Sequence, residues 1–227
     1  MIDATSTKPI VKKKKYKKLK AIAVSPNNTK LGKIPSFSLP AISSCPGATS
    51  WCTSKCYADK ISRIYKNAAK AYLKNFHAAK SNKDFVSLMN TELDVLRKKG
   101  NRVFRMHVSG DFYDVKYIYD WVNIAKLNPD MQFYGYTRSW SVPGMLSHLE
   151  ALRCLPNVIL FASTDIATTS SIPTGWREAF AGDFPPLNLV KPKMIMCLEQ
   201  AGKLPTCDAC KLCFNTKSTV DIYFKTH

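Results

Sequence analysis

The chain has 227 residues, 45% of them apolar and 11% aromatic, enough for a substantial core, so wholesale disorder is excluded. No apolar run approaches the roughly 18–20 residues of a membrane-crossing helix, and the opening residues run into lysines instead of an apolar export segment. A cytoplasmic protein with no membrane partner is therefore expected. Lysine and arginine outnumber the acids 34 to 16, a net charge of +18, which attracts polyanions and makes a nucleic acid the first partner to consider.

Residues 1–17 read as a flexible basic arm. Eight of the first 20 residues are lysine, against the single acid Asp3, and like charges with nothing to bury do not pack. The remaining chain still carries +11, so the folded body is basic as well. Alternation around Leu19, Ala21 and Ala23 suggests a short strand, and Ser25-Pro26-Asn27-Asn28-Thr29 with Gly32 and Pro35 marks a loop. A long helix is expected over 55–80. Tyr57, Ile61, Ile64, Ala68, Tyr72 and Phe76 share its apolar face, with Lys60, Arg63, Lys66, Lys70 and Lys74 on the opposite side.

A second helix begins near Asp84 and closes at Lys98, Lys99 and Gly100. Strand and helix then alternate: β-like over 102–108, helical over 114–127, β-like over 132–137, and helical after Pro143. The apolar run 158–162 suits a strand covered on both faces. A less regular stretch around 173–186 precedes the last strands, at 194–197 and 219–224. This order implies a parallel α/β sheet. A partial or complete (β/α) barrel over 18–190 fits the number of units, with an open doubly wound sheet as the alternative. Residues 191–227 form a C-terminal segment carrying a cysteine cluster.

Eight cysteines in a cytoplasmic chain point to metal or redox chemistry before disulfides. Cys207, Cys210 and Cys213 make a C-x2-C-x2-C run with Cys197 upstream. Thiolates at this spacing can each meet a different iron of one [4Fe-4S] cube. Cys45, Cys52 and Cys56 supply three thiolates before a helix, and three ligands on a four-iron cube leave one iron open. Zinc, with His77 or His107 as a fourth ligand, is the alternative metal. Cys154 reads as a core thiol.

The strand 103–109 places Arg105, His107 and Ser109 alternately with Phe104, Met106 and Val108, and Gly110 and Asp111 follow at its end. Polar groups recur where later strands end, at Thr137 and Arg138 and again at Ser163 and Asp165. Polar residues at the C-terminal ends of barrel strands mark the site face. Arg105, His107 and Asp111 are thus candidate catalytic residues, and Ser109, Gly110, Asp111, Thr137, Arg138, Ser163 and Asp165 are candidate cofactor contacts.

The three-cysteine group and Ser109-Gly110-Asp111 resemble the radical S-adenosylmethionine superfamily. That resemblance implies a barrel of the radical-SAM type and S-adenosylmethionine bound at the open iron, with Asp111 holding its ammonium group. The strings Ser36-Phe37-Ser38-Leu39-Pro40-Ala41, Cys45-Pro46-Gly47-Ala48, Cys56-Tyr57-Ala58 and His107-Val108-Ser109-Gly110-Asp111-Phe112, with the C-terminal cysteine run, resemble phage proteins of the gene product 88 family, which would place the chain in a host cytoplasm. The expected function is an iron–sulfur protein with two [4Fe-4S] clusters, fed by an electron donor and performing reductive radical chemistry on a nucleic acid or nucleotide. The alternatives are a non-enzymatic iron–sulfur protein that binds nucleic acid or regulates, and a zinc-binding interaction module.

Overall fold

Strands of two to eight residues build a single parallel sheet. The computed structural model describes residues 22–81, 84–185 and 194–226; the basic arm expected over 1–17 lies outside them. The strands are β1 (Ser36–Phe37), β2 (Val103–Met106), β3 (Gln132–Thr137), β4 (Val158–Asp165), β5 (Arg177–Gly182), β6 (Met194–Met196) and β7 (Asp221–Lys225). Their order is β1-β2-β3-β4-β5-β7-β6, and every neighbouring pair is parallel. The helices are α1 (Ser50–Ser54), α2 (Tyr57–Ile64), α3 (Lys66–Ser81), α4 (Phe85–Lys98), α5 (Val115–Leu127), α6 (Leu146–Arg153) and α7 (Cys207–Cys210).

The two faces of the sheet are covered differently. On one, Phe104, Met106, Phe133, Leu160 and Ala162 pack against Phe85, Met89 and Leu93 of α4, Ile118 and Trp121 of α5, and Leu149 of α6. Each large apolar side chain buried there contributes about 1.5–3 kcal/mol. The other face is met by the chain's C-terminal part and the segment before β1. Leu31, Ile34, Cys207 and Phe214 cluster around Tyr134, and Cys197, Leu212, Cys213 and Phe224 gather on Phe161, Ala179 and Ile222. Strand alternation explains the division, because successive side chains point to opposite faces.

The parallel α/β sheet agrees with the sequence; the closed barrel does not. The sheet is open, and the radical-SAM type of barrel is not what these strands form. The outer edge of the two-residue β1 is taken by an antiparallel bridge, Ser25 N to Ser36 O at 2.9 Å and Ser36 N to Ser25 O at 2.8 Å, and β6 ends the other edge. The described part of the strand expected at 18–24 is not extended into a ladder. The stretch read as irregular at 173–186 contains β5, a central strand.

The single helix expected over 55–80 is two. Tyr65 breaks it at φ −100°, ψ 86°. In α3 the buried Asn75 accepts from Ala23 N at 2.7 Å and donates to Ala23 O at 2.8 Å and Ser38 O at 2.9 Å. That anchor sets which side of α3 faces the core. The apolar stripe of α2 is left in solvent, with Ile61 36% and Ile64 68% exposed, and Tyr65 beyond it is 60% exposed.

Candidate functional site at the carboxyl rim

The loop 38–56, which carries the first three cysteines, lies across the carboxyl ends of β2, β3 and β4. Two glycines permit its close approach. Gly110, at φ +81°, would place a Cβ 2.5 Å from Leu39 Cβ and 2.6 Å from Ser44 Oγ. A Cβ on Gly47 would strike the Arg138 carbonyl. Leu39 N donates to Ser109 O at 2.8 Å and Asp111 N to Ser44 O at 3.2 Å, so the loop is laid along the end of β2 by backbone bonds.

Three side chains then staple it. Asp111 is buried and accepts from Phe112 N and Arg138 N, both at 2.7 Å. Burial raises its carboxyl above the usual range, and the bonds from Thr137, Arg138 and Phe112 pull the other way. Arg138 pairs with Asp165 at 2.9 Å and donates to Thr164 O at 3.1 Å. Asp165 accepts in turn from Thr49 Oγ1 at 2.6 Å, and Thr49 caps α1 by accepting from Cys52 N at 3.0 Å. Thr137 Oγ1 accepts from Ser139 N at 3.0 Å, and the Ser163 carbonyl accepts from Trp140 Nε1 at 3.2 Å. Ser109 Oγ is buried without a hydrogen-bond partner among the described residues. These polar strand ends do meet at one rim, where they fix the cysteine loop.

Arg105 and His107 part company. His107 has φ +54°, which ends the alternation at Met106 and turns its ring under the helices. There Nε2 meets Tyr117 Oη at 2.8 Å, with Phe112 and Trp121 edge-on at 4.7 and 5.9 Å between ring centroids. Burial, with the nearby Arg105 charge, lowers its pKa to about 3, so the ring is neutral. Arg105 stays on the opposite face. Its guanidinium lies 4.0 Å from the Tyr136 ring centroid.

The thiols of each group feel one another. Burial, then Asp111, Cys52 and Cys56, push Cys45 up to about 12. Cys52 is raised by burial against the pull of Arg138. Burial and the neighbours Cys213 and Cys197 push Cys207 up to about 12. Yet among the described residues no group of three or more His, Cys, Asp or Glu is arranged to hold a metal ion. This overturns the expected iron–sulfur function at Cys45, Cys52 and Cys56 and at Cys197, Cys207, Cys210 and Cys213. With it go the radical chemistry, the iron–sulfur nucleic-acid protein and the zinc module. The physical reason is that cysteine spacing along the chain does not by itself bring three side chains around one point. Cys197, Cys207 and Cys213 belong to the apolar clusters of the sheet face, and the His107 ring is engaged by Tyr117, Phe112 and Trp121.

The strings quoted from the sequence find their counterpart in comparison with known proteins. The model of a family described as gene product 88 matches residues 5–216. The chain belongs to the gene product 88 family. It is 33% identical over 147 residues to the gene 88 protein of Mycobacterium phage L5 and 31% identical over 147 residues to that of Mycobacterium phage D29. Each match covers 61% of this chain and 60% of the phage protein, so the gene product 88 match spans somewhat over half of those relatives. Neither the family nor these phage proteins supports the expected link to the radical S-adenosylmethionine superfamily. No solved structure matches the chain.

Several residues of this region were not singled out in the sequence. Thr49 and Gly47 lie between cysteines that draw attention away from them. Tyr134 and Tyr136 precede a recognised strand end, and Arg177 sits in the stretch read as irregular. The usable signal is the short apolar run Ala179-Phe180-Ala181 directly after the charged pair Arg177-Glu178.

Proposed function

We propose that the protein binds single-stranded nucleic acid along the exposed side of α2 and α3, beside the carboxyl rim. The observation that carries this reading is the sign of the charge there. From Lys55 to Lys80 the chain presents Lys55, Lys60, Arg63, Lys66, Lys70, Lys74 and Lys80 against one acid, Asp59, which is taken up by Arg63 at 2.6 Å. Lys55, Lys60, Lys66 and Lys70 are exposed and form no ion pair among the described residues. Lys66, Lys70 and Lys74 recur every four residues, about 6 Å apart along the axis, and make a continuous basic stripe on one side of α3. Beside it the exposed Tyr65 offers a ring on which a base can stack, and Ile61 and Ile64 offer apolar contact. The rim holds α2 in place, since Tyr57 Oη donates to Val108 O at 2.8 Å.

Among the described residues no helix is long and apolar enough to cross a membrane. The test is fluorescence anisotropy with a labelled single-stranded oligonucleotide in DNA and RNA forms. The triple variant Lys60→Glu/Lys66→Glu/Lys70→Glu should bind at least tenfold more weakly than wild type, and Tyr65→Ala should lose about 1–3 kcal/mol of affinity. Equal affinity of the triple variant and wild type would contradict the reading.

A further inference from the structure

The net charge is not spread along the chain. Residues 1–83 hold 18 lysines and arginines against two acids, Asp3 and Asp59, whereas residues 84–227 hold 16 against 14. Almost the whole excess of +18 therefore belongs to the first part. The basic residues gather in two places there: residues 8–20, with eight lysines and no acid, and the exposed side of α2 and α3.

The fold roots the first place directly on the second. Ile22, the first described residue, is 2% exposed and packs in the main core cluster. Ala23 is clamped to α3 by both backbone groups, donating to Asn75 Oδ1 at 2.7 Å and accepting from Asn75 Nδ2 at 2.8 Å. Ser25 then bridges to Ser36 of β1, so the point where residues 8–20 join the fold is fixed. Asn75 follows Lys74 directly, and Lys66 stands nine residues before Asn75, about 14 Å along the helix axis. An extended chain spans at most about 3.3–3.6 Å per residue. Lys17, six residues before Ala23, thus has a reach of about 20 Å. Asn75 lies on the buried side of α3, but a helix with its side chains is only about 10–12 Å across. The reach therefore covers the way round to the basic stripe.

Two dense groups of like charge rooted this close repel each other. The one acid on α2 and α3, Asp59, is already taken by Arg63 at 2.6 Å. A polyanion relieves the repulsion and gains from both groups at once. We propose that residues 8–20 and the basic side of α2 and α3 hold one and the same strand of nucleic acid, as two linked contacts of a single site. The inference rests on the nucleic-acid reading above and adds a second contact to it. Because the first contact keeps the strand near the second, linked affinity exceeds that of either group alone.

The test is fluorescence anisotropy of labelled oligothymidylate and oligouridylate titrated with the full chain at several salt concentrations. Three variants stand beside wild type. Lys12→Gln/Lys13→Gln/Lys14→Gln/Lys15→Gln neutralises the lysine segment, and Lys60→Glu/Lys66→Glu/Lys70→Glu reverses the helix stripe. Lys98→Gln/Lys99→Gln/Lys126→Gln/Lys217→Gln removes four exposed charges elsewhere as a control. Wild type should bind one oligonucleotide per chain, and the control should bind as wild type, because screening confines exposed charges to about 8–10 Å. The lysine-segment variant should bind at least tenfold more weakly and lose about three units of the salt slope, about 0.7 per contact. A lysine-segment variant that loses no more than the control overturns the proposal and leaves the reading of α2 and α3 standing. Two oligonucleotides bound independently per chain also overturn it, since the two groups then act apart. A helix-stripe variant that binds as wild type, or a wild type that binds neither oligonucleotide, overturns the reading and the proposal together.

Discussion

His107 sits in αL-like backbone at φ +54°, and the consequence is chemical as well as geometric. Its folded pKa of about 3 lies below the ordinary 6.5 because burial and then Arg105 disfavour the charged ring. The unfolded chain therefore binds a proton that the folded chain refuses. Stability is fully present above pH 6.5 and falls as pH drops from 6.5 toward 3, with a slope of up to about 1.4 kcal/mol per pH unit. Urea titrations between pH 7 and 4 should show this slope in wild type and a flatter one in His107→Gln; equal slopes would remove His107 from the account. Three residues on, Gly110 at φ +81° presses against Leu39 and Ser44. Gly110→Ala should cost about 2–4 kcal/mol through backbone strain and overpacking, read as a lower urea midpoint. The alternation Arg105, His107, Ser109 was legible in the sequence, but the left-handed turn at a histidine was not. Residues other than glycine seldom adopt it, and nothing local in the sequence announces it.

At the scale of the elements, the cysteine loop is held by one buried ion pair with its cap. Asp165 is fully enclosed and carries Arg138 on one side and Thr49 on the other. Asp165→Ala should cost about 3–5 kcal/mol, because it strands the Arg138 charge in a buried position. Thr49→Ala should cost about 1 kcal/mol by uncapping α1. Chemical denaturation of the two single variants checks both; equal losses would deny the ion pair its role. Asp111, Arg138 and Asp165 were readable as a convergent rim, since polar residues end three successive strands. Their work as staples was not readable, because the partners lie far apart in sequence, 116 residues in the case of Thr49 and Asp165. The anchor of α3 was hidden for a similar reason: Asn75 bonds to Ala23 and Ser38, far from it in sequence.

Across the molecule, strand–helix alternation correctly gave a parallel α/β sheet, and family membership followed from short strings around the first cysteines and the end of β2. Closure was not encoded in that alternation, since it depends on what meets β1 and β6 at the two edges. The cysteine spacing carried the metal reading, yet spacing alone does not place thiols around an ion. Part of the charge excess lies on α2 and α3, where seven basic residues stand against one acid, and the proposed nucleic-acid contact rests on it. The most direct measurement of this claim is oligonucleotide affinity as a function of salt concentration for wild type and the triple Lys→Glu variant of α2 and α3. Wild type should show a steep linear fall of log K with log salt, and the variant should lose about two units of that slope, about 0.7 for each phosphate contact removed. A wild-type affinity that does not respond to salt, or a slope unchanged in the variant, would contradict it.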